Sequence, residues 1–273
     1  MSEASGIALL VSDIDGTLVR ADKSLSPATV EAFGRLRAAG VAATLISARP
    51  PSGMMTLAEV LDIDGPLGAF NGGTLFYRDG RIESAKHLQA RVADTVLDRL
   101  EAAGVHVWLF AGGRWYASTL DNPRVPHERL AAGIEPTLVE DFRGLGPVDK
   151  IVGVSEDFAA LKTLEDVVKA RVGDSATIAR SQPYFLDITA PGANKGDGIA
   201  ALAAAAGIPL SRVAAIGDMA NDLPMFARAG VAIAMGQAPE TVRAAATFVT
   251  GTNDEDGVAL AIDRRLLAGQ SLA

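Results

Sequence analysis

Two carboxylates separated by one residue stand in the run Asp13-Ile14-Asp15-Gly16-Thr17-Leu18, directly after the apolar stretch Ile7–Ser12. Placed just past a strand, they can face one site if the chain turns sharply, and Gly16 permits that turn. Such a pair suits cleavage of a phosphate monoester, whose uncatalysed hydrolysis is among the slowest reactions known. One solution divides the barrier through a covalent aspartyl-phosphate. A carboxylate attacks phosphorus, and a second acid protonates the leaving oxygen, help that contributes roughly 10²–10⁴-fold. Asp13 suits the first task and Asp15 the second. An Asp-Gly turn after a strand is also ordinary punctuation, so the pair needs partners before it means chemistry.

Three other segments offer them. Gly217-Asp218-Met219-Ala220-Asn221-Asp222 follows the apolar run Val213–Ile216 and carries three oxygen-bearing side chains on one loop. Mg²⁺ takes octahedral oxygen ligation from one or two carboxylates, water and phosphate oxygens. Asp13 and Asp218 would supply the carboxylates, and the ion would let an anionic nucleophile approach an anionic ester. The same loop also reads as a helix start, with Asn221 or Asp222 at the N-cap and Pro224 behind it. Lys195 lies just before an alanine-rich helical pattern, where the helix dipole attracts phosphate, although a lone lysine in a Gly-rich loop is usually only solvated. Ser47-Ala48-Arg49 presents a hydroxyl and a guanidinium to phosphate oxygens. Asn71-Gly72-Gly73 is a weaker substrate contact or a turn.

The elements that must position these residues are legible as alternating patterns. Ile7–Ser12, Val41–Ile46, Val213–Ile216 and Val231–Ala234 read as buried parallel strands. Helical patterns lie between them: Ser26-Pro27 to Ala39, Gly196 to Ala206 and Leu223 to Ala229, each stopping at glycine. This alternation predicts an α/β fold, a doubly wound and mainly parallel sheet. Ligands of such sheets bind beyond the carboxyl ends of the strands, so parallel neighbours would bring Asp13, Ser47 and Asp218 to one rim. From about Arg81 to Ile188 the pattern changes to aromatic and β-branched alternation, at Val105–Phe110, Trp115–Thr119, Ile151–Val154 and Tyr184–Thr189. Helical stretches Ala90–Ala103 and Glu156–Arg171 interrupt it. This predicts an inserted α+β domain with an antiparallel sheet open on one face. The expected division is a core of residues 1–80 and 190–273, with an insert of residues 81–189.

Composition narrows the partners. The 273 residues carry a formal net charge of −8 and no cysteine. Disulfides, thiolate metal sites and cysteine nucleophiles are excluded, and nucleic acid, which asks for a basic face, is not favoured. No apolar run approaches the ~20 residues that span a membrane, and no basic leader precedes the first short apolar stretch. The expectation is a cytoplasmic protein, monomeric or a small homo-oligomer, acting on a small phosphate ester. His87, His106 and His127 lack metal-ligand spacing, and the motifs of P-loops, serine hydrolases, dinucleotide folds and zinc proteases are missing.

Taken in order, Asp13–Leu18, Ser47, Lys195 and Gly217-Asp218 with Asn221-Asp222 resemble the four motifs of the haloacid dehalogenase superfamily of phosphotransferases. The resemblance spans essentially the whole chain. The insert, Asn71-Gly72-Gly73 and Asn221-Asp222 are similar to the Cof-type subfamily with a C2B cap. It implies a Rossmann-like core and a cap that selects the leaving group. It implies Asp13 as nucleophile and Mg²⁺ ligand, and Asp15 as general acid and base with its backbone carbonyl on the metal. It implies Asp218 as a further Mg²⁺ ligand, with Ser47 and Lys195 on the phosphoryl group. Asn221 would contact phosphate or a metal-bound water, Asp222 would orient Lys195 or the metal shell, and Arg49 and Asn71 would touch substrate. Ser47-Ala48-Arg49 departs from the common Thr-Gly-Arg but keeps the hydroxyl. The implied activity is a Mg²⁺-dependent phosphatase of small metabolites, such as sugar phosphates or phosphorylated cofactors. A phosphomutase on the same fold and a non-catalytic aspartyl-phosphate switch are the alternatives. A second acid at Asp15 speaks against the switch, which needs a long-lived acyl phosphate.

Overall fold

The computed structural model describes residues 6–268. The chain opens with strand β1 (Leu9–Ser12), buried throughout, and helix α1 (Pro27–Ala38). Ser26 caps α1 by accepting the Thr29 amide, and Pro27 occupies the first turn, where its missing N–H costs nothing. Strand β2 (Ala42–Leu45), helix α2 (Ser52–Val60) and strands β3 (Leu67–Ala69), β4 (Thr74–Phe76) and β5 (Ile82–Ala85) follow. β2 pairs parallel with β1, a parallel bridge from Ile46 to Gly68 carries β3 alongside, and β4 and β5 fold back antiparallel. Residues 82–85 therefore pair with this first unit, and the chain crosses to a second sheet only at residues 86–89.

The insert then runs through α3 (Ala90–Ala102), β6 (His106–Ala111), β7 (Arg114–Ala117), α4 (Val125–Ala132), β8 (Pro136–Leu138), β9 (Val148–Val154), α5 (Phe158–Val172), β10 (Thr177–Gln182) and β11 (Phe185–Thr189). Its six strands are ordered β10-β11-β9-β6-β7-β8, antiparallel except for β7 with β8. One face, carrying Val107, Leu109, Ile151, Leu186 and Ile188, packs on Val96, Leu97 and Leu100 of α3 and Leu161 and Leu164 of α5. The opposite face differs from the expected open one. Trp108, Phe110, Trp115, Val152 and Phe185 form one apolar cluster with Met54 and Phe70 of the first unit, and the ring centroids of Phe70 and Phe110 lie 5.9 Å apart. Aromatic side chains this large are too costly to leave in water, so that face is turned onto the first unit.

The chain returns through α6 (Lys195–Ala205), β12 (Val213–Gly217), α7 (Leu223–Phe226), β13 (Val231–Ala234), α8 (Glu240–Ala244), β14 (Phe248–Val249) and α9 (Gly257–Ala261). The order β14-β13-β12-β1-β2 is parallel throughout, and apolar clusters cover both faces. The two crossings are tied together by Lys86, whose Nζ donates to the Gly192 carbonyl at 2.7 Å. Among the described residues no helix is long and apolar enough to cross a membrane.

The Asn71-Gly72-Gly73 segment shows why its residue types matter. Phe70, Asn71 and Gly72 take φ of 49°, 59° and 85°, the left-handed region that asparagine and glycine tolerate best. A Cβ on Gly72 would lie 2.5 Å from the Gly198 Cα in α6. Gly72→Ala is therefore expected to lower the unfolding free energy by about 1–3 kcal/mol, measured by urea denaturation against the parent.

Candidate active site

Register alone brings three chain segments to one edge. Ser12 pairs with Ile216 on one side and Leu45 on the other, so Asp13, Ser47 and Asp218 leave the sheet together at its carboxyl edge. Lys195, at the start of α6, is 1% exposed and reaches into the same place. Its Nζ lies 2.5 Å from Asp13 Oδ1 and 2.6 Å from Asp222 Oδ1. The other oxygen of Asp222 accepts the amides of Asp218 and Met219, each at 2.9 Å. Gly217 makes room for this, since a Cβ there would sit 2.4 Å from Asp222 Cγ. Asp222 thus has both oxygens committed, one holding Lys195 and one shaping the Asp218 loop.

The electrostatics follow from three buried carboxylates sharing one ammonium. Burial pushes the Asp13 carboxyl up to about 7, opposed by Lys195 and reinforced by Asp222 and Asp15. Burial, with Asp13 and Asp222 beside it, pushes Asp218 up to about 8, although the Thr17 hydroxyl donates to it at 3.0 Å. The excess negative charge asks for a cation. Oxygens of Asp13, Asp218 and Asp222 all lie within 4.8 Å of one another. Because Asp222 is spoken for, Asp13 and Asp218 are the oxygens left to face an ion. Two hard carboxylates beside room for water and phosphate fit Mg²⁺.

Asp15 is bound differently. Arg49 approaches it with a fork, Nε to Oδ2 at 2.7 Å and Nη2 to Oδ1 at 2.8 Å, and Lys23 also donates to Oδ1. Burial alone would raise this carboxyl, but Arg49 and Lys23 hold it well below the usual carboxylate range. Arg49, expected at the substrate, is thus engaged by Asp15 and by the Gly53 carbonyl at 3.0 Å. The Ser47 hydroxyl oxygen accepts the Arg49 amide at 3.2 Å, which leaves its own proton to donate. Asn71 anchors its amide on the Ser47 carbonyl at 2.7 Å and accepts from Asn221 Nδ2 at 3.4 Å.

A cavity of about 320 Å³ lies over these groups, walled by Asp13, Asp15, Ser47, Arg49 and Asp218 from below and by His127, Glu128, Lys150 and Tyr184 from the insert. Lys150 crosses it to donate to the Ala48 carbonyl at 2.9 Å. Thr17, Lys23, Glu128 and Lys150 escaped the sequence reading. Lys150 left a trace there, as a charge inside the apolar run of β9. Glu128 left none, because α4 has no clear apolar period.

The chain matches the family model of the haloacid dehalogenase-like hydrolases over residues 10–262. A 5-amino-6-(5-phospho-D-ribitylamino)uracil phosphatase of Bacillus subtilis is 30% identical over 283 residues, covering 94% of this chain and 97% of its own length. A haloacid dehalogenase-like hydrolase structure from Bacteroides thetaiotaomicron superposes with a TM-score of 0.83 at 31% identity, over 94% of this chain and 99% of the other. A subclass IIB sugar phosphatase structure of the same superfamily gives 0.82 at 26% identity, over 94% and 98%. The chain belongs to the haloacid dehalogenase-like hydrolases. Within that family it falls in the phosphatase class.

Two outcomes follow from the charges. Asp222→Ala leaves Lys195 with one carboxylate instead of two and strips two amides of their acceptor, so a loss of about 3–5 kcal/mol of stability is expected in urea titrations. Burial pushes the Glu128 carboxyl up from 4.5 to about 7, with Lys150 opposing. An acid raised on folding contributes stability at low pH that is lost as pH climbs through this window. Glu128→Gln should therefore remove a fall on the order of 3 kcal/mol between about pH 4.5 and 7, read from unfolding midpoints across pH.

Proposed function

We propose that the chain is a Mg²⁺-dependent phosphatase that hydrolyses small phosphorylated metabolites, sugar phosphates or phosphorylated cofactors, through an aspartyl-phosphate on Asp13. The observation that carries this reading is the Asp13 carboxylate itself, set at a strand end beneath a cavity of about 320 Å³ and held at 2.5 Å by a buried lysine. Mg²⁺ held by Asp13, Asp218 and the Asp15 carbonyl would neutralise charge on the phosphoryl oxygens.

The protein's own groups then divide the work. Lys195 and the Ser47 hydroxyl hold the phosphoryl oxygens, and Asn221, which lines the same cavity, steadies them. One oxygen of Asp13 attacks phosphorus as the ester P–O bond breaks, and Asp15 gives its proton to the departing oxygen. Asp15, now a carboxylate, takes a proton from a water whose oxygen attacks phosphorus. The bond to Asp13 breaks, phosphate leaves, and Asp15 is again protonated. For this Asp15 must exchange Arg49 and Lys23 for the leaving group. The incoming phosphate competes for both cations, and its negative charge favours the protonated acid. Arg49 and Lys23 act as phosphate-responsive partners of Asp15, and Asn71 positions Asn221.

Asp13→Asn should keep the fold by circular dichroism and lose more than about 10³-fold in kcat/KM on a panel of phosphate esters. EDTA should abolish parent turnover and added Mg²⁺ restore it. Substantial turnover by the variant would sink the covalent route, and EDTA-resistant activity the metal.

A further inference from the structure

One short segment beside the active site stands in a conformation that its residue types do not favour. Residues 20–24 form a tight turn, with the Arg20 amide on the Ser24 carbonyl and the Lys23 amide on the Arg20 carbonyl, each at 2.9 Å. Lys23 takes a φ of 68°. A lysine gains nothing from the left-handed backbone that glycine or asparagine adopts more readily. Such strain persists where the surroundings over-determine it, and it gathers at functional sites. Here it aims a side chain. The Lys23 side chain is 15% exposed, its Nζ donates to Asp15, and the residue lines the cavity over Asp13. A plain connector would leave that ammonium in water.

The surroundings that fix the turn come from the far end of the chain. Asn253–Glu255 form a 3₁₀ turn between β14 and α9. Asn253 Nδ2 donates to the Val19 carbonyl at 3.0 Å, Asp254 Oδ1 accepts the Ala21 amide at 3.3 Å, and Asp256 Oδ1 accepts Arg20 Nη2 at 3.0 Å. One turn thus grips Val19, Arg20 and Ala21, just ahead of Lys23. Its own base is firm. Glu255 Oε2 accepts the Thr252 hydroxyl at 2.9 Å, and the Gly257 amide donates to the Thr252 carbonyl at 2.9 Å. Val258 and Ala259 of α9 pack in the same apolar cluster as Ile14, Leu18 and Val19. An ion pair as exposed as Arg20 with Asp256 adds little stability, so stability does not account for the arrangement; placement of Lys23 does.

We propose that Asn253 and Asp256 are positioning residues for the phosphatase reaction, holding residues 20–24 in the shape that delivers Lys23 to Asp15 and to the phosphate entering the cavity. This rests on the phosphatase reading above. Neither residue needs to touch the ester. Each acts through the backbone or side chain of the turn that carries the lysine, and their effect exists only while the lysine is there to be placed.

The test reads kcat and KM for the ester of the panel above that the parent cleaves fastest, and the dissociation constant of inorganic phosphate by calorimetry, with Mg²⁺ present. Lys23→Met should raise KM and the phosphate constant roughly 10-fold or more. Asn253→Ala and Asp256→Ala should each raise both about 3–10-fold in the parent and hardly at all in Lys23→Met. Asp256→Asn keeps an acceptor for Arg20 and tolerates the left-handed φ of 57° at this position, so it should stay within about twofold of the parent. A merely structural role would lower kcat with the folded fraction and leave KM and the phosphate constant unmoved. That result overturns the inference and leaves the phosphatase reading standing. So do losses that simply add to those of Lys23→Met, and so does a Lys23→Met enzyme that matches the parent. A parent that hydrolyses no ester of the panel overturns the phosphatase reading and this inference with it.

Discussion

A single buried ammonium organises the site. Lys195 is shared between Asp13 and Asp222 at 2.5 and 2.6 Å, in a place where an isolated charge would cost several kcal/mol. Each partner of the lysine does something else as well. Asp13 is the proposed nucleophile, and Asp222 shapes the loop of Asp218 through two amides. Position is transmitted along this chain of contacts: α6 sets the lysine, the lysine sets Asp13 and Asp222, and Asp222 sets Asp218. The remaining negative charge fits a divalent cation for the same reason that the lysine is needed.

That convergence was legible because it follows from register. Once β1, β2 and β12 are read as parallel neighbours, their carboxyl ends must coincide, and Asp13, Ser47 and Asp218 come together without any knowledge of side-chain packing. The strands announced themselves by apolar runs and the helices by Ser26-Pro27 and by glycine stops, local signals that hold whatever lies around them. Asp222 was legible as one of several polar residues in a loop. Its division of labour, one oxygen to Lys195 and one to the backbone, depends on Gly217 leaving space, which spacing alone does not reveal.

The insert was harder for a physical reason. Its strands alternate because one face packs on α3 and α5, and the same alternation fits an opposite face in water or an opposite face against another unit. Trp108, Phe110 and Trp115 decide between these only once Phe70 and Met54 are seen beside them. Short α4 and the edge strand β10 carry weak periodicity, and residues 82–85 look like insert by composition but pair with β4. Glu128, a wall of the cavity over Asp13, sits on α4.

Arg49 illustrates how a residue can have a partner that its place in the sequence does not show. A guanidinium after a strand end suits phosphate, yet its fork closes on Asp15. The two descriptions join if the pair is a resting arrangement. A carboxylate ion-paired to Arg49 and Lys23 is a poor acid, which in the proposed mechanism would keep the site from offering a proton where no ester is bound. A phosphate entering the cavity would bring the charge that both cations also prefer, so that in the proposed mechanism binding and the readiness of Asp15 would rise together.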